Sequence, residues 1–509
     1  MIKKPYPVHP FLLVLFPVVF TLAHNAEYIR PFRVLEPGGA LLVCTVVAVA
    51  LAGLVFRDIH KGAVVVSAAI FAFFSFGHVG NLITVLNVRL KYQLLAWAVF
   101  LLIVALVTWR RKAPFGLTKI LNLITACLLG VSVLSYAHAA FTSAGSSGNV
   151  RDDQASEQVG APSSEKQDEL PDIYYLVFER YARDDVLREQ YGFDNSEFLS
   201  FLKKNGFYVA EESHANYLKT AHSLASSLNT EHLLDFADKV GRDSCNWKIL
   251  HERVQEHKVG KFLKSKGYRY LHFGSFWHVT DRSDQADENI NIFPFENPLT
   301  IVLIESSMAY PMLKEMSLYD VSLEQYRRVL YKFEKMAEVP DRPGPSFVFA
   351  HMFVTHEPFV FHKDGSYMPK AEWRSRPERD VYLDAMQVLN HKLEETITAI
   401  LAKSKVPPVI ILQADEGPFP DRYAANPPAF EWRQARPDEL KRKMCIFNAY
   451  HVPKAAAGDL YPTITPVNTF RLIFNTYFNA GLKMLPDTSY VFEDDRHIYS
   501  FYDITDQIP

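Results

Sequence analysis

The sequence predicts an N-terminal α-helical transmembrane domain followed by an α/β/α sandwich with a mostly parallel sheet. Three observations predict it. Before Tyr136, apolar runs are separated by short basic loops; after Pro171, buried-strand runs alternate with helical segments; and a stretch almost without apolar residues lies between the two. The 509 residues are enough for two or three domains, and a net charge of −3 leaves no electrostatic footprint of nucleic-acid binding.

Four runs have the length of a bilayer crossing, or nearly so: Gly38 to Phe56, Gly62 to about Leu82, Tyr92 to Trp109, and Leu121 to about Phe141. The run Phe11 to Ala23 is shorter than the ~20 residues a span normally needs and follows Lys3 and Lys4, so it reads either as a cleaved signal peptide or as a retained fifth helix. In both cases the chain is expected outside after Ala23 and outside again after Phe141. Arg57, Lys61, Arg110, Arg111, Lys112 and Lys119 then fall on the cytoplasmic side, against Arg30, Arg33, Arg89 and Lys91 outside. The expected location is therefore the cytoplasmic membrane, multi-pass, with the C-terminal domain on its extracytoplasmic side. Charges cluster in the loops, and only isolated polar residues such as His78 and Asn81 interrupt the runs, which argues against a transport pathway.

The expected boundaries are 1–141 for the membrane domain, 142–170 for a flexible linker of Ser, Gly, Asp, Glu and Gln, and 171–509 for the extracytoplasmic domain. That domain opens with a buried strand, Ile173 to Phe178, ending at Glu179. A helix from about Asn195 to Asn205 stops at Gly206, and a short strand covers Tyr208 to Ala210. The segment Thr220 to Leu228 has helical spacing with a threonine at its front, where an N-cap would also sit. Tyr268 to Phe273 reads as a strand, and Tyr326 to Lys335 lies within a polar helix. Ser346 to Phe353 is a buried strand running into Thr355-His356-Glu357-Pro358. A long amphipathic helix, Arg379 to Lys403, feeds the strand at Val409, which delivers Asp415 and Glu416 to a glycine turn. Cys245 and Cys445 are the cysteines of this half, and no Cys-His cluster has zinc-finger spacing.

Three strand ends thus carry Glu179, His356 and Asp415-Glu416, and a helix start carries Thr220. The carboxyl ends of buried strands are where α/β proteins hold ligands and metals. Hard oxygen donors, a hydroxyl and an imidazole together suit metal-assisted attack on a phosphorus or sulfur ester. A threonine hydroxyl needs a base or a metal to act as a nucleophile, and a helix start adds backbone N–H groups that favour a transferring phosphoryl group. The chemistry expected is in-line displacement onto Thr220, then transfer to a second alcohol or to water. Arg183, four residues after Glu179, matches a phosphate oxygen by its forked geometry, and equally an ion pair with Asp184 or Asp185.

The segments PDIYYLVFERYARDDVL, YGFDNSEFL, NYLKTAHSLASSLN, FVFAHMFVTHEPFVF, ILQADEGP and LYPTITPVNTFRLIFNTYF resemble the lipoteichoic acid synthase-like, sulfatase-like membrane proteins of the alkaline phosphatase superfamily. The resemblance covers most of the chain from Pro171 onward. It implies that Glu179 is a metal ligand, that Thr220 is both nucleophile and ligand, that Asp415 is a further ligand, and that His356 faces the substrate. It also implies one divalent cation and a membrane-anchored hydrolase or transferase acting on a lipid or envelope-glycan substrate, with phosphatidylglycerol or phosphatidylethanolamine as donor.

The sequence departs from the family's Asp-His-Gly pattern at one place, having Asp415-Glu416-Gly417. With Glu416 as the fourth ligand the site is all oxygen, which favours Mn2+ or Mg2+ over Zn2+, with Ca2+ also compatible. The alternative is a domain that keeps the fold and binds a ligand in the envelope without turning it over. His451 and His222 are the candidates for a substitute nitrogen ligand, each more simply read as a structural histidine.

Overall fold

A computed structural model describes residues 5–25, 31–83, 90–111, 114–147, 170–292, 298–316, 319–456 and 458–509. Two compact units emerge: Met1–Gly148 with Pro294–Asp320, and Asn149–Phe293 with Val321–Pro509.

The first unit is a helix bundle: α1 (His9–His24), α2 (Leu35–Phe56), α3 (Ile59–Ile83), α4 (Leu90–Arg110) and α5 (Phe115–Ser147). Four of these, α2 to α5, are long and apolar enough to cross a membrane, whereas α1 has 16 residues. Their outward apolar side chains fit a hydrocarbon solvent: Leu54, Leu123 and Leu134 are each about two-thirds exposed or more. Helix α5 continues to Ser147, past Thr142, where the sequence places the start of the linker. Residues 148–169 of that stretch lie outside the described residues.

The second unit is built on a seven-stranded sheet. Its strands are β1 (Ile173–Phe178), β2 (Tyr208–Val209), β3 (Arg269–Phe273), β4 (Glu288–Ile290), β5 (Ser346–Met352), β6 (Val409–Ala414) and β7 (Asn448–His451), in the order β2-β7-β6-β1-β5-β3-β4. From β6 to β4 all neighbours are parallel; β7 and β2 extend the other edge antiparallel. The sheet is thus mostly parallel, as the alternation of strands and helices predicts. The central strands β1, β5 and β6 are buried along their whole length, which is why they read as continuous apolar runs instead of alternating ones.

The expected helices lie at Ser196–Lys204, Thr220–Ser227 (α6), Val321–Met336 and Glu378–Lys403. Tyr175, on one face of β1, donates to Gln413 Oε1 at 2.7 Å, which leaves its oxygen to accept from Ser227 Oγ at 3.1 Å, so α6 is pinned to that face. A small antiparallel pair, Tyr490–Phe492 with Phe501–Asp503, completes the unit.

Candidate active site

The three central strands end level with one another. Phe178 is in register with Met352 on β5 and with Ala414 on β6. The next residue on β1 is Glu179 and the next on β6 is Asp415, so register alone sets these two carboxylates side by side. His351 is in register with Val177, two residues before Glu179, and residues two apart on a strand share a face. The result is a buried cluster: ligand atoms of Glu179, His351 and Asp415 all lie within 4.8 Å of one another.

Thr220 starts α6 on the same face. Its hydroxyl caps nothing; it donates to Glu179, with Oε1 and Oε2 at 3.1 and 3.2 Å. His351 Nε2 lies 3.1 Å from Glu179 Oε2, and its Nδ1 lies 3.0 Å from Thr280 Oγ1. Its carbonyl accepts from the buried Lys332 at 2.9 Å. The backbone of Glu179 is fixed as well, its N–H donating to Met352 and its carbonyl accepting from Thr355. His356, in the loop after β5, stands on the rim with Nε2 4.0 Å from Glu179 Oε1. Its Nδ1 meets the carbonyl of Glu357, which only accepts, so Nδ1 carries the proton and Nε2 faces the site as an acceptor.

Two of the sequence candidates are placed elsewhere. Glu416 lies outside the Glu179–His351–Asp415 cluster and pairs with the buried Lys443, Oε1 to Nζ 2.7 Å, with Arg180 Nε at 3.8 Å. Asp415 and Glu416 stand in the bend that follows β6. Arg183 forms a bidentate pair with Asp185, at 2.8 and 2.9 Å, and donates to the carbonyl of Ser213, which uses up its fork. The substitute nitrogens do not serve either. His222 is buried among Tyr217, Trp247 and Phe492 and meets the carbonyl of Ile498. His451 is in register with Ile410, near the opposite end of β6.

In their place the structure brings in residues that the sequence analysis passed over. His351 is one. Arg180, directly after Glu179, has a left-handed φ of 59° and lies with its guanidinium 4.6 Å from the Phe419 ring centre. Lys219, directly before Thr220, stands 4.4 Å from the same centre and donates to Tyr423 Oη at 2.8 Å. Lys443 covers that ring at 3.5 Å. Three cations therefore converge on one aromatic ring beside the carboxylates, an arrangement favoured by the ring's negative face.

The electrostatics follow from burial. Desolvation, with the charge of Glu416 adding to it, pushes the Glu179 carboxyl up to about 7. Desolvation and then the charge of Glu179 hold the Asp415 carboxyl well above the usual carboxylate range. Burial pushes His351 down to about 4, and burial followed by Arg180 pushes His356 down to about 3, so both imidazoles are neutral near pH 7. Burial also lowers Lys443 to about 8, against the pull of Glu416.

Among the described residues, no N–H or hydroxyl donor meets the buried oxygens of Asp415 or Oε2 of Glu416, and Asp415 faces the Glu179 carboxyl. Buried carboxylate oxygens without donors are costly unless something positive faces them. Two carboxylates, a hydroxyl and a neutral imidazole directed at one point form a donor set that fits a divalent cation, and the orphaned oxygens of Asp415 are the observation in its favour. With His351 the donor set holds a nitrogen beside its oxygens.

No protein-family model and no curated protein matches the chain. Solved structures do. The C-terminal periplasmic domain of EcEptC from Escherichia coli is 12% identical, with 69% of this chain and 96% of that one covered and a TM-score of 0.45. The integral membrane protein lipooligosaccharide phosphoethanolamine transferase A (EptA) from Neisseria meningitidis is 12% identical, with 87% and 88% covered and a TM-score of 0.34. The lipoteichoic acid synthase LtaP from Listeria monocytogenes is 12% identical, with 66% and 82% covered and a TM-score of 0.36. At 12% identity each, these are likenesses of fold.

Proposed function

We propose that the α/β unit is a divalent-cation-dependent hydrolase or transferase of phosphate or sulfate esters, acting through Thr220 on a lipid or envelope-glycan substrate outside the cytoplasmic membrane. The observation that carries this is the hydroxyl of Thr220 on the Glu179 carboxylate, beside the donorless oxygens of Asp415. Glu179, Asp415, His351 and Thr220 would hold the cation, with His351 supplying the nitrogen that Glu416, committed to Lys443, leaves out. Such a cation favours ionisation of the threonine hydroxyl and offsets charge on the ester oxygens.

The protein's own groups do the rest. The start of α6 presents backbone N–H groups to the ester oxygens, and Lys219 and Arg180 add positive charge at the rim. Thr220 Oγ1 gives up its proton, which the leaving oxygen takes up by way of water, and forms a bond to phosphorus or sulfur as the ester bond to the leaving alcohol breaks. The threonine ester is then cleaved by water or a second alcohol, and His356 Nε2, at the rim as an acceptor, is the group we assign to take its proton. The membrane helices confine the enzyme to where lipid headgroups are concentrated.

The second reading, binding without turnover, draws on the Glu416–Lys443 pair, which neutralises the position that the family pattern gives to a ligand histidine. One experiment separates the two. The full-length protein in detergent is titrated with Mn2+, Mg2+ and Zn2+ by calorimetry, then incubated with headgroup-labelled phosphatidylethanolamine or phosphatidylglycerol and digested for mass spectrometry. A cation bound in the protein, lost in Asp415→Asn, together with a modified Thr220 peptide supports the enzyme. A bound cation with no modification of Thr220 and no label released, or no bound cation of any kind, supports the binding domain and counts against the enzyme.

A further inference from the structure

The segment Pro294–Asp320 lies, in sequence, inside the α/β unit, yet it is part of the helix bundle. It forms two short helices, α7 (Pro298–Ser306) and α8 (Ala309–Glu315). Leu299 and Leu303 of α7 are buried in one apolar cluster with Val18 and Leu22 of α1, lined by Val34, Leu41, Phe74 and Tyr136.

These partners share one end of the bundle. They come from the second half of α1, the start of α2, and the later parts of α3 and α5, the ends that alternating helices bring together. It is also the end from which α5 leads on toward the α/β unit. The depth is considerable. Val18 lies six residues before His24, about 9 Å along the helix axis, and Phe73 lies ten residues before Ile83, about 15 Å. Against a hydrocarbon core of ~30 Å, α7 therefore sits below the rim of the bundle and inside its outer half.

The α7–α8 turn meets the condition that hydrocarbon imposes on non-helical backbone, which is that its polar groups be satisfied within the protein. Ser307 N donates to Ile304 O at 3.0 Å, Met308 N to Phe73 O at 2.9 Å, and Ala309 N to Ser307 Oγ at 3.1 Å. The Ser306 hydroxyl turns back to Val302 O at 2.8 Å. Gly77 of α3 lets the backbones meet, since a Cβ there would lie 2.5 Å from Ser306 O. Val302, Met312 and Met316 are exposed, at 36%, 46% and 64%, as are Lys314, Glu315 and Glu305, the last accepting from Tyr319 Oη at 3.2 Å.

We propose that residues 298–316 are a re-entrant helical hairpin in the bilayer, with Val302 and Met312 facing lipid hydrocarbon, Glu305 held by Tyr319, and Lys314 and Glu315 reaching the headgroup level. The α/β unit is then tied to the membrane domain not only through the 148–169 stretch but also through the chain on both sides of this hairpin. The claim is independent of the chemistry at Thr220.

The test uses the full-length protein in membranes, with a site-specific protease site placed within residues 148–169. After cleavage and an alkaline carbonate wash, the 170–509 fragment is expected in the membrane pellet; its release into the supernatant overturns the proposal. With Leu299→Glu and Leu303→Glu together, retention is expected to be lost, and a doubly substituted fragment that stays in the pellet as the unaltered one does also overturns it. Photolabelling of the unaltered protein with a carbene reagent confined to the bilayer core keeps the test sound if that variant fails to fold. Label on the 298–316 peptide is expected, and its absence alongside labelled α2 and α4 peptides counts against the hairpin.

Discussion

The hydroxyl of Thr220 and the imidazole of His351 meet the same carboxylate from opposite sides, and each makes a distinct prediction. Thr220→Ala should abolish covalent labelling while leaving cation binding within about tenfold, since Thr220 is one donor among four; Thr220→Ser should restore labelling, as read by mass spectrometry. His351→Gln should weaken cation affinity by at least tenfold, about 1.4 kcal/mol, by calorimetry. Lys443 behaves differently, because its ammonium is the countercharge of a buried Glu416. Lys443→Met strands that carboxylate and should destabilise the α/β unit by ~3–5 kcal/mol in thermal unfolding, and adding Glu416→Gln should recover a large part of the loss. At this scale Glu179 and Asp415 stand out in the sequence because each ends an apolar run, and Thr220 because it opens a helical one. His351 was hidden inside such a run, SFVFAHM, where an imidazole reads as filler. Glu416 enters the expected site through its place in the family's Asp-His-Gly pattern, whereas the structure pairs it with Lys443, a partner that no local pattern signals.

The elements explain why these side chains meet. Level strand ends at Phe178, Met352 and Ala414 bring residues 179, 351 and 415 together with no help from the loops. The turn after β6 is tight for a specific reason. Gly417 N donates to Lys443 O at 2.8 Å, and a Cβ at Gly417 would lie 2.2 Å from the carbonyl oxygen of Arg442, a backbone atom that has little freedom to move. Gly417→Ala should therefore push β6 away from the Pro437–Met444 helix and cost ~1–3 kcal/mol, with cation affinity falling in parallel because Asp415 moves with the turn. The central strands and the Glu378–Lys403 helix were legible because burial makes their patterns long and unmixed. Strand β7, four residues reading NAYH, gives no periodic signal, and its antiparallel pairing with β6 depends on where the chain returns, which local sequence does not encode. The α7–α8 segment is too short to read as a membrane element, being 9 and 7 residues long, so its place in the bundle appears only in three dimensions.

At the scale of the whole molecule, the α/β unit holds two buried carboxyls whose ionisation the fold resists unless positive charge is supplied. Glu179 is raised from 4.5 to about 7, so between those values the native state holds a proton that the unfolded chain has released. Stability without cation should accordingly fall as pH rises from about 4.5 through 7, and thermal scans of the full-length protein in chelator should show it. His351, lowered to about 4, acts the other way: its contribution is present above the ordinary histidine value of 6.5 and is lost as pH falls from there toward 4. A cation binds only deprotonated carboxylates and neutral imidazole, so the rise in unfolding temperature on adding it should be larger at pH 8 than at pH 6. The measurement that tests the central claim most directly is pulsed electron paramagnetic resonance of the full-length protein loaded with Mn2+, which reports nitrogen bound to the metal. Coupling to one imidazole nitrogen is predicted, lost in His351→Gln and retained in His222→Gln and Lys443→Met. A bound Mn2+ with no imidazole coupling, or with coupling that survives His351→Gln, would contradict the site described here.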